Sequence, residues 1–315
     1  MVGVMVRLMP RIPNQKSSKK FNNHQLSSNI YRKRRVIAAL RASLFSNIPD
    51  GTLYHYTSLQ GLMGIVESRT LRASDIRYMN DSTELIYALN LLQTTIASRT
   101  QTSREQNAAL SIFSAWLREQ INVGPMLFSA SFRANGNLLS QWRGYSNHGK
   151  GVSLGFNPRA IKALADEQDF SLGRCLYNVN EQQALANDIV SIVVSMHAER
   201  PDLQKALDDI EGDLLGICAL LKHPSFAEEQ EWRLVSPAFM SVADKPIAFR
   251  EGKAMLVPHY LFNLATKDAI ALDHVYVGPT PNSDLSVNAL SHYLKDKNAH
   301  PARGISDSEI PYRPR

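Results

Sequence analysis

From Thr52 onward, short β-prone runs bounded by Gly, Asn, Pro and Asp alternate with segments of helical apolar spacing, and the longest unbroken apolar run covers only residues 214–221. A membrane-spanning helix needs ~20 such residues. Every element must therefore bury one face against another element, which restricts the chain to a layered fold of helices on a sheet. Residues 47–51 form a turn cluster, 52–56 an extended run, and Leu59, Leu62, Met63, Ile65 and Val66 a helical face, with a second extended piece at 71–73. Asp81, three residues ahead of Glu84, is placed to cap a helix carrying Leu85, Ile86, Leu89, Leu92 and Ile96 on its apolar side, and a second helix is predicted over about 103–120.

From Pro125 the pattern predicts strands at 126–132, 138–144 and 152–156. Two amphipathic helices at 182–199 and 203–221 predict a helical pair inserted at about 180–222. Strands at 231–235, 246–249 and 273–277, a helix near 285–294 and an extended run ending at Arg313 complete the reading. The expectation is one α+β domain over residues 50–315, with a mostly antiparallel, split β-sheet.

Charge is distributed unevenly along the chain. The formal +6 arises from 35 basic and 29 acidic residues, yet residues 1–49 hold ten basic residues and no acid, which leaves the remainder at −4. Residues 1–49 therefore read as a disordered basic arm whose charge suits polyanions, while the body is mildly acidic. The arm's Arg- and Ser-containing composition also resembles an organelle transit peptide. The two cysteines, Cys175 and Cys218, stand apart in apolar contexts and suit core packing, with a reducing cytoplasm as the expected compartment. Metalloprotease, P-loop and dinucleotide-fold motifs are absent from the sequence, so no metal is expected. The G-x-S-x-x-G stretch at 144–149 reads as a polar hairpin, not a nucleophile elbow.

Four places concentrate polar residues. Tyr54-His55-Tyr56-Thr57-Ser58 ends a strand and opens a helix, where free backbone N–H groups collect ligands; a His with a hydroxyl two residues on can hold a ribose, or else simply cap the helix. The segment 75–81 holds Arg77, Tyr78 and Asn80 around one helix start, and capping accounts for Asn80 and Asp81 only. Ser140 to Tyr145 reads as a strand mixing Trp142, Arg143 and Tyr145, suited to stacking or phosphate contact. In the run 228–235, strand alternation puts Glu229, Glu231 and Arg233 on one face. Paired carboxylates with a guanidinium suit stabilisation of positive charge, though a surface ion pair is the plainer reading.

Leu53 to Ser58, Tyr78-Met79-Asn80-Asp81 with Glu84, Ser140 to Tyr145, Glu229 to Arg233 and Ile310 to Arg313 resemble, in order, the blocks of a bacterial family known as domain of unknown function 2971. The first block is also similar to the His-x-[Ser/Thr] strand of ADP-ribosyltransferases, and Glu229-x-Glu231 to their late glutamate strand, with Tyr56 where that superfamily commonly has a small residue. This second resemblance implies that the sheet is of the ADP-ribosyltransferase type and that NAD is the substrate. It implies that His55 and Thr57 hold the adenosine-side ribose, the Tyr56 backbone the nicotinamide amide, and Tyr78 or Tyr145 the nicotinamide ring, with Asn80 and Arg143 nearby. Glu231 would be catalytic and Glu229 would orient a nucleic-acid or protein acceptor, as in a toxin or anti-phage effector. A non-enzymatic nucleotide or nucleic-acid sensor, or an NAD glycohydrolase, are the alternatives.

Overall fold

A computed structural model describes residues 34–79, 83–99, 103–145, 151–198, 202–243, 245–252, 254–266 and 269–311. A helix over residues 34–44, α1, precedes β1 (Leu53–Ser58), α2 (Leu59–Ser68) and β2 (Thr70–Asp75), the expected strand–helix–strand opening. Then come α3 (Thr83–Ser98), α4 (Arg104–Val123), β3 (Met126–Arg133), α5 (Leu139–Tyr145), β4 (Gly151–Phe156), α6 (Pro158–Glu167) and β5 (Ser171–Arg174). The helices α7 (Val179–His197), α8 (Leu203–Asp208) and α9 (Glu211–Cys218) lead to β6 (Glu231–Phe239), β7 (Ile247–Glu251) and β8 (Leu256–Asn263). The short β9 (Ala265–Thr266) and β10 (Ala269–Ile270), β11 (Leu272–Val277), α10 (Ser283–Asp296) and β12 (Ile305–Asp307) finish the fold.

The helices start where side chains satisfy their free N–H groups. Ser58 accepts from Gly61, Ser103 from Gln106, Asn157 from Arg159 and Ala160, and Asn178 from Asn180 and Glu181. The chain is α+β, with a mixed and mostly antiparallel open sheet in the order β12-β11-β4-β1-β3-β2-β8-β7, to which β6 and β5 attach beside β3. Only β11 with β12 is parallel among these named strand pairs. One face packs Leu53, Phe128, Phe132, Leu154 and Leu234 under α2, α6 and α10. On the other face, Leu127 and Val235 meet a layer of α1, α3, α4 and α7 to α9, and α5 lays Trp142 over Tyr54 and Tyr56.

Several expectations are corrected. Residues 139–145 are helix, not strand, and the predicted 203–221 helix breaks into α8 and α9, where Arg34 donates to the Asp209 carbonyl at 3.1 Å and satisfies the end of α8. Strand β8, which contains Pro258, has no counterpart in the sequence reading. That residue pairs only with Phe249 of β7, beyond the end of the β2 ladder, where a missing N–H is tolerated. The helices of the 180–222 segment supply much of one core against one face of the sheet. The folded body also begins before residue 50. Ile37 and Phe45 are buried, and Gly173 of β5 admits the Phe45 ring, which a Cβ there would meet at 2.7 Å. Residues 1–33 of the basic arm, Asn80 and Asp81, most of the 144–149 hairpin and Tyr312 and Arg313 lie outside the described residues. No helix among the described residues is long and apolar enough to cross a membrane.

Ile37 is fully buried, so Ile37→Ala is expected to lower the unfolding free energy by about 2–5 kcal/mol. Urea titration checks this; a change under about 0.5 kcal/mol, typical of a surface position, would detach α1 from the core.

Candidate functional site

Strand β3 pairs along one edge with β6 over its whole length, but two strands share its other edge. Arg133 pairs with Tyr54 of β1, whereas Ser129 and Phe128 pair with Ser74 and Asp75 of β2. Between those points the edge has no strand partner, and the sheet forks. His55 fills the opening, its Nδ1–H donating to the Ser131 carbonyl at 3.0 Å in place of a ladder bond. A carbonyl only accepts, so the proton sits on Nδ1 and Nε2 is left as an acceptor. Burial pushes the His55 pKa down and the Arg133 charge adds to this against the opposing Ser131 bond, so the ring is neutral near pH 7. Together with Thr57 and Ser58, His55 lines a cavity of about 700 Å³ under α2. Gly61 is needed at that wall, because a Cβ would collide with the Thr57 hydroxyl.

A charge cluster occupies the opposite side of the fork. Glu231 is fully buried. Its Oε1 accepts from Arg233 Nε at 2.7 Å and faces Arg133 Nη1 at 3.4 Å, and its Oε2 meets Lys222 Nζ at 2.5 Å and Arg233 Nη2 at 3.2 Å. Glu229 bonds Arg133 Nη2 and Lys222 Nζ, each at 2.7 Å, through Oε2 alone and keeps some exposure. Gln230 has φ 42° and so turns Glu229 back over the cluster from a 3₁₀ turn at Pro224–Glu229. Three cations thus surround two carboxylates, one positive charge in excess. Burial alone would raise the Glu231 pKa, but Arg233, Arg133 and Lys222 hold it well below the usual carboxylate range. Arg133 is raised in turn, its two carboxylate neighbours outweighing its burial.

Surrounding elements fix each cation. Arg133 Nε donates to Gln141 Oε1 of α5 at 3.1 Å, and Arg233 Nη1 to the Ala219 carbonyl at 2.7 Å. Gln182 of α7 donates to the Lys222 and Leu176 carbonyls at 2.8 and 2.7 Å while accepting from Tyr87. Helix α5 is itself seated by Tyr56, whose hydroxyl donates to the Asn135 carbonyl and accepts from Leu138 N, and by Trp142, which donates to Asn137 and packs edge-on to Tyr56 at 4.8 Å. These contacts explain why residues 139–145 are helical: Gln141 and Trp142, both buried, need adjacent positions with fixed partners below them.

The structure brings Glu229, Glu231, Arg233 and Tyr145 together, the last with its ring 6.0 Å from the Arg133 guanidinium. Strand alternation puts His55 and Thr57 with Phe132 on one face and Tyr54, Tyr56 and Glu231 on the other, so His55 and Glu231 approach only across the fork. Tyr56 is a support for α5, Arg143 is exposed on that helix, and exposed Tyr78 lies in the 3₁₀ turn after β2. Arg77 there is explained by its bidentate bond to Asp75 and its bond to the Gly124 carbonyl. The sequence reading missed Arg133 and Lys222, and held Gln141 within the 140–145 block without a role. A lysine closing the apolar run 214–221 was the available signal for Lys222. Among the described residues no group of three or more His, Cys, Asp or Glu side chains could hold a metal ion.

Residues 141–234 match the model of the family described as "Protein of unknown function (DUF2971)", which supports the resemblance over the stretch that holds the blocks ending at Tyr145 and at Arg233. That stretch runs from Gln141 of α5 to Leu234 of β6 and so includes the four charged residues of the cluster other than Arg133. No curated protein and no solved structure matches the chain.

Glu231 has a lower pKa folded than unfolded, so its contribution to stability is present above the unfolded value of ~4.3 and is lost as pH falls through the folded one. Glu231→Gln leaves buried cations short of a counter-charge and is expected to cost roughly 3–5 kcal/mol near pH 7. It should also flatten the acid limb of stability against pH. Urea unfolding of both proteins across pH 3 to 7 checks this, and equal stability near pH 7 would contradict it.

Proposed function

We propose that the chain binds NAD at the fork and transfers its ADP-ribosyl group to a nucleic-acid or protein acceptor. One observation carries the reading: His55 and the Arg133–Glu229 pair are both anchored on β3 where the sheet forks, His55 at the Ser131 carbonyl and the pair through the Arg133 side chain on the opposite face. A dinucleotide threaded through the fork would set one ribose at the His55 Nε2 and Thr57 end and the other at the carboxylate end. In the step, the bond from C1′ of the ribose to the nicotinamide nitrogen breaks and nicotinamide leaves as a neutral base with the electron pair. A bond from C1′ to the acceptor nucleophile then forms. The carboxylate stabilises the oxocarbenium-like centre and takes the nucleophile's proton.

Both oxygens of Glu231 are engaged, whereas Glu229 uses one and is the more exposed. The arrangement therefore supports Glu229 in the substrate-facing role and Glu231 as the residue that positions Arg133 and Lys222 around it. Tyr145, beside Arg133, is better placed than Tyr78 to stack on the nicotinamide ring. The complete burial of Glu231 favours one other reading, a non-enzymatic nucleotide-sensing module on the same site.

The test is binding and turnover of labelled NAD, with protein and nucleic-acid acceptors supplied. Glu229→Gln is expected to slow turnover by about 10²-fold or more with NAD affinity little changed, and His55→Ala to weaken NAD binding. Binding without turnover by the wild type would favour the sensing module, and free ADP-ribose released without a labelled acceptor would point to an NAD glycohydrolase.

A further inference from the structure

The far wall of the His55 cavity is cationic. Arg72 of β2 and Arg250 of the edge strand β7 both line it, with Ser74 between them. The ladder puts Arg72, Ser74, His259 and Arg250 on one face, and Arg250 Nη2 reaches across β8 to Ser74 Oγ at 3.5 Å. Among the described residues neither arginine pairs with a carboxylate. Glu67, the carboxylate on the cavity wall, is exposed and adds to burial in raising the Tyr293 phenol. Beneath the guanidinium groups, His259 is almost fully buried with Nδ1 lacking a partner. Two planar forks bracketing a serine hydroxyl are a geometry for phosphate oxygens.

The opposite wall is of another kind. His55 Nε2, the Thr57 and Ser58 hydroxyls and Gln60 offer donors and acceptors for a polyol, within a volume of about 700 Å³ that falls in the usual range for a small-molecule site. We infer that this cavity seats a sugar diphosphate, with the diphosphate between Arg72 and Arg250 and the sugar hydroxyls at His55 and Thr57. The inference rests on the NAD reading only for the identity of the whole ligand, whose diphosphate it locates; the seat itself stands on the cavity's two walls.

The test is calorimetric titration of the full chain with inorganic pyrophosphate and with ADP-ribose, for wild type, Arg72→Ala, Arg250→Ala and the double variant. Arg250→Lys, which keeps the charge but loses the planar fork, guards against misfolding of the alanine variants. Each single alanine variant is expected to weaken both probes by about 10-fold or more, with ADP-ribose affinity falling as salt rises and Arg250→Lys only partly restored. Failure of the wild type to bind either probe at millimolar concentration, or retention of affinity within twofold in the double variant, would overturn the inference. Arginine-dependent binding without NAD turnover would uphold the seat and remove the transferase reading. Turnover with an unchanged KM in the double variant would do the reverse.

Discussion

A fully buried carboxylate stays ionised only where enough positive charge replaces its hydration, and Glu231 meets that condition through Lys222, Arg233 and Arg133. Four parts of the chain converge to satisfy it. Strand β6 provides Glu231 and Arg233, and β3 provides Arg133. The segment after α9 provides Lys222, and α5 holds Arg133 through Gln141. None of these groups can leave without stranding a charge in the interior. Replacing such a cluster by apolar residues is often neutral for stability, so its value here lies in placement: it fixes Glu229 over Arg133 and Lys222 with one oxygen to spare.

The fork follows from the way β3 is shared. One edge is committed to β6, and the other must serve both β1 and β2, whose intervening helix α2 keeps them apart. The unpaired stretch of β3 would leave a carbonyl orphaned if His55 did not bond to it. The same contact fixes the tautomer and leaves Nε2 as an acceptor on a ring that lines the cavity. Structural and ligand-binding readings of His55 are thus two faces of one ring.

Much of the architecture was legible in the sequence. Apolar spacing marked α2, α3, α4, α7 and α10, and β-prone runs marked β1, β2, β3, β4, β6, β7 and β11. Failures came where tertiary contacts override local pattern. Ser140 to Tyr145 alternates like a strand, but the adjacent Gln141 and Trp142, which a strand would point to opposite faces, are both buried and each bonded to a fixed partner. Helix α6 carried its own signals, Asn157 as cap and Pro158 in the first turn, with Ile161, Leu164 and Ala165 buried, and the sequence reading omitted it. The carboxylates of the site were visible because they sit two residues apart at a strand start. Arg233 was visible beside them, but the other two cations were not: Arg133 and Lys222 lie some 90 residues from each other, joined only by the fold. Alternation also suggested one shared face for Glu229 and Glu231, whereas the left-handed backbone of Gln230 is what returns Glu229 to the cluster.

We propose the fork in the sheet as the ligand-binding centre, and a crystal structure of the chain grown with saturating NAD or ADP-ribose is the decisive measurement. Ligand density is expected in the fork, with a ribose hydroxyl within hydrogen-bond distance of His55 Nε2 and the diphosphate against Arg72 and Arg250. Density seated elsewhere on the molecule, with the fork unchanged, would contradict it.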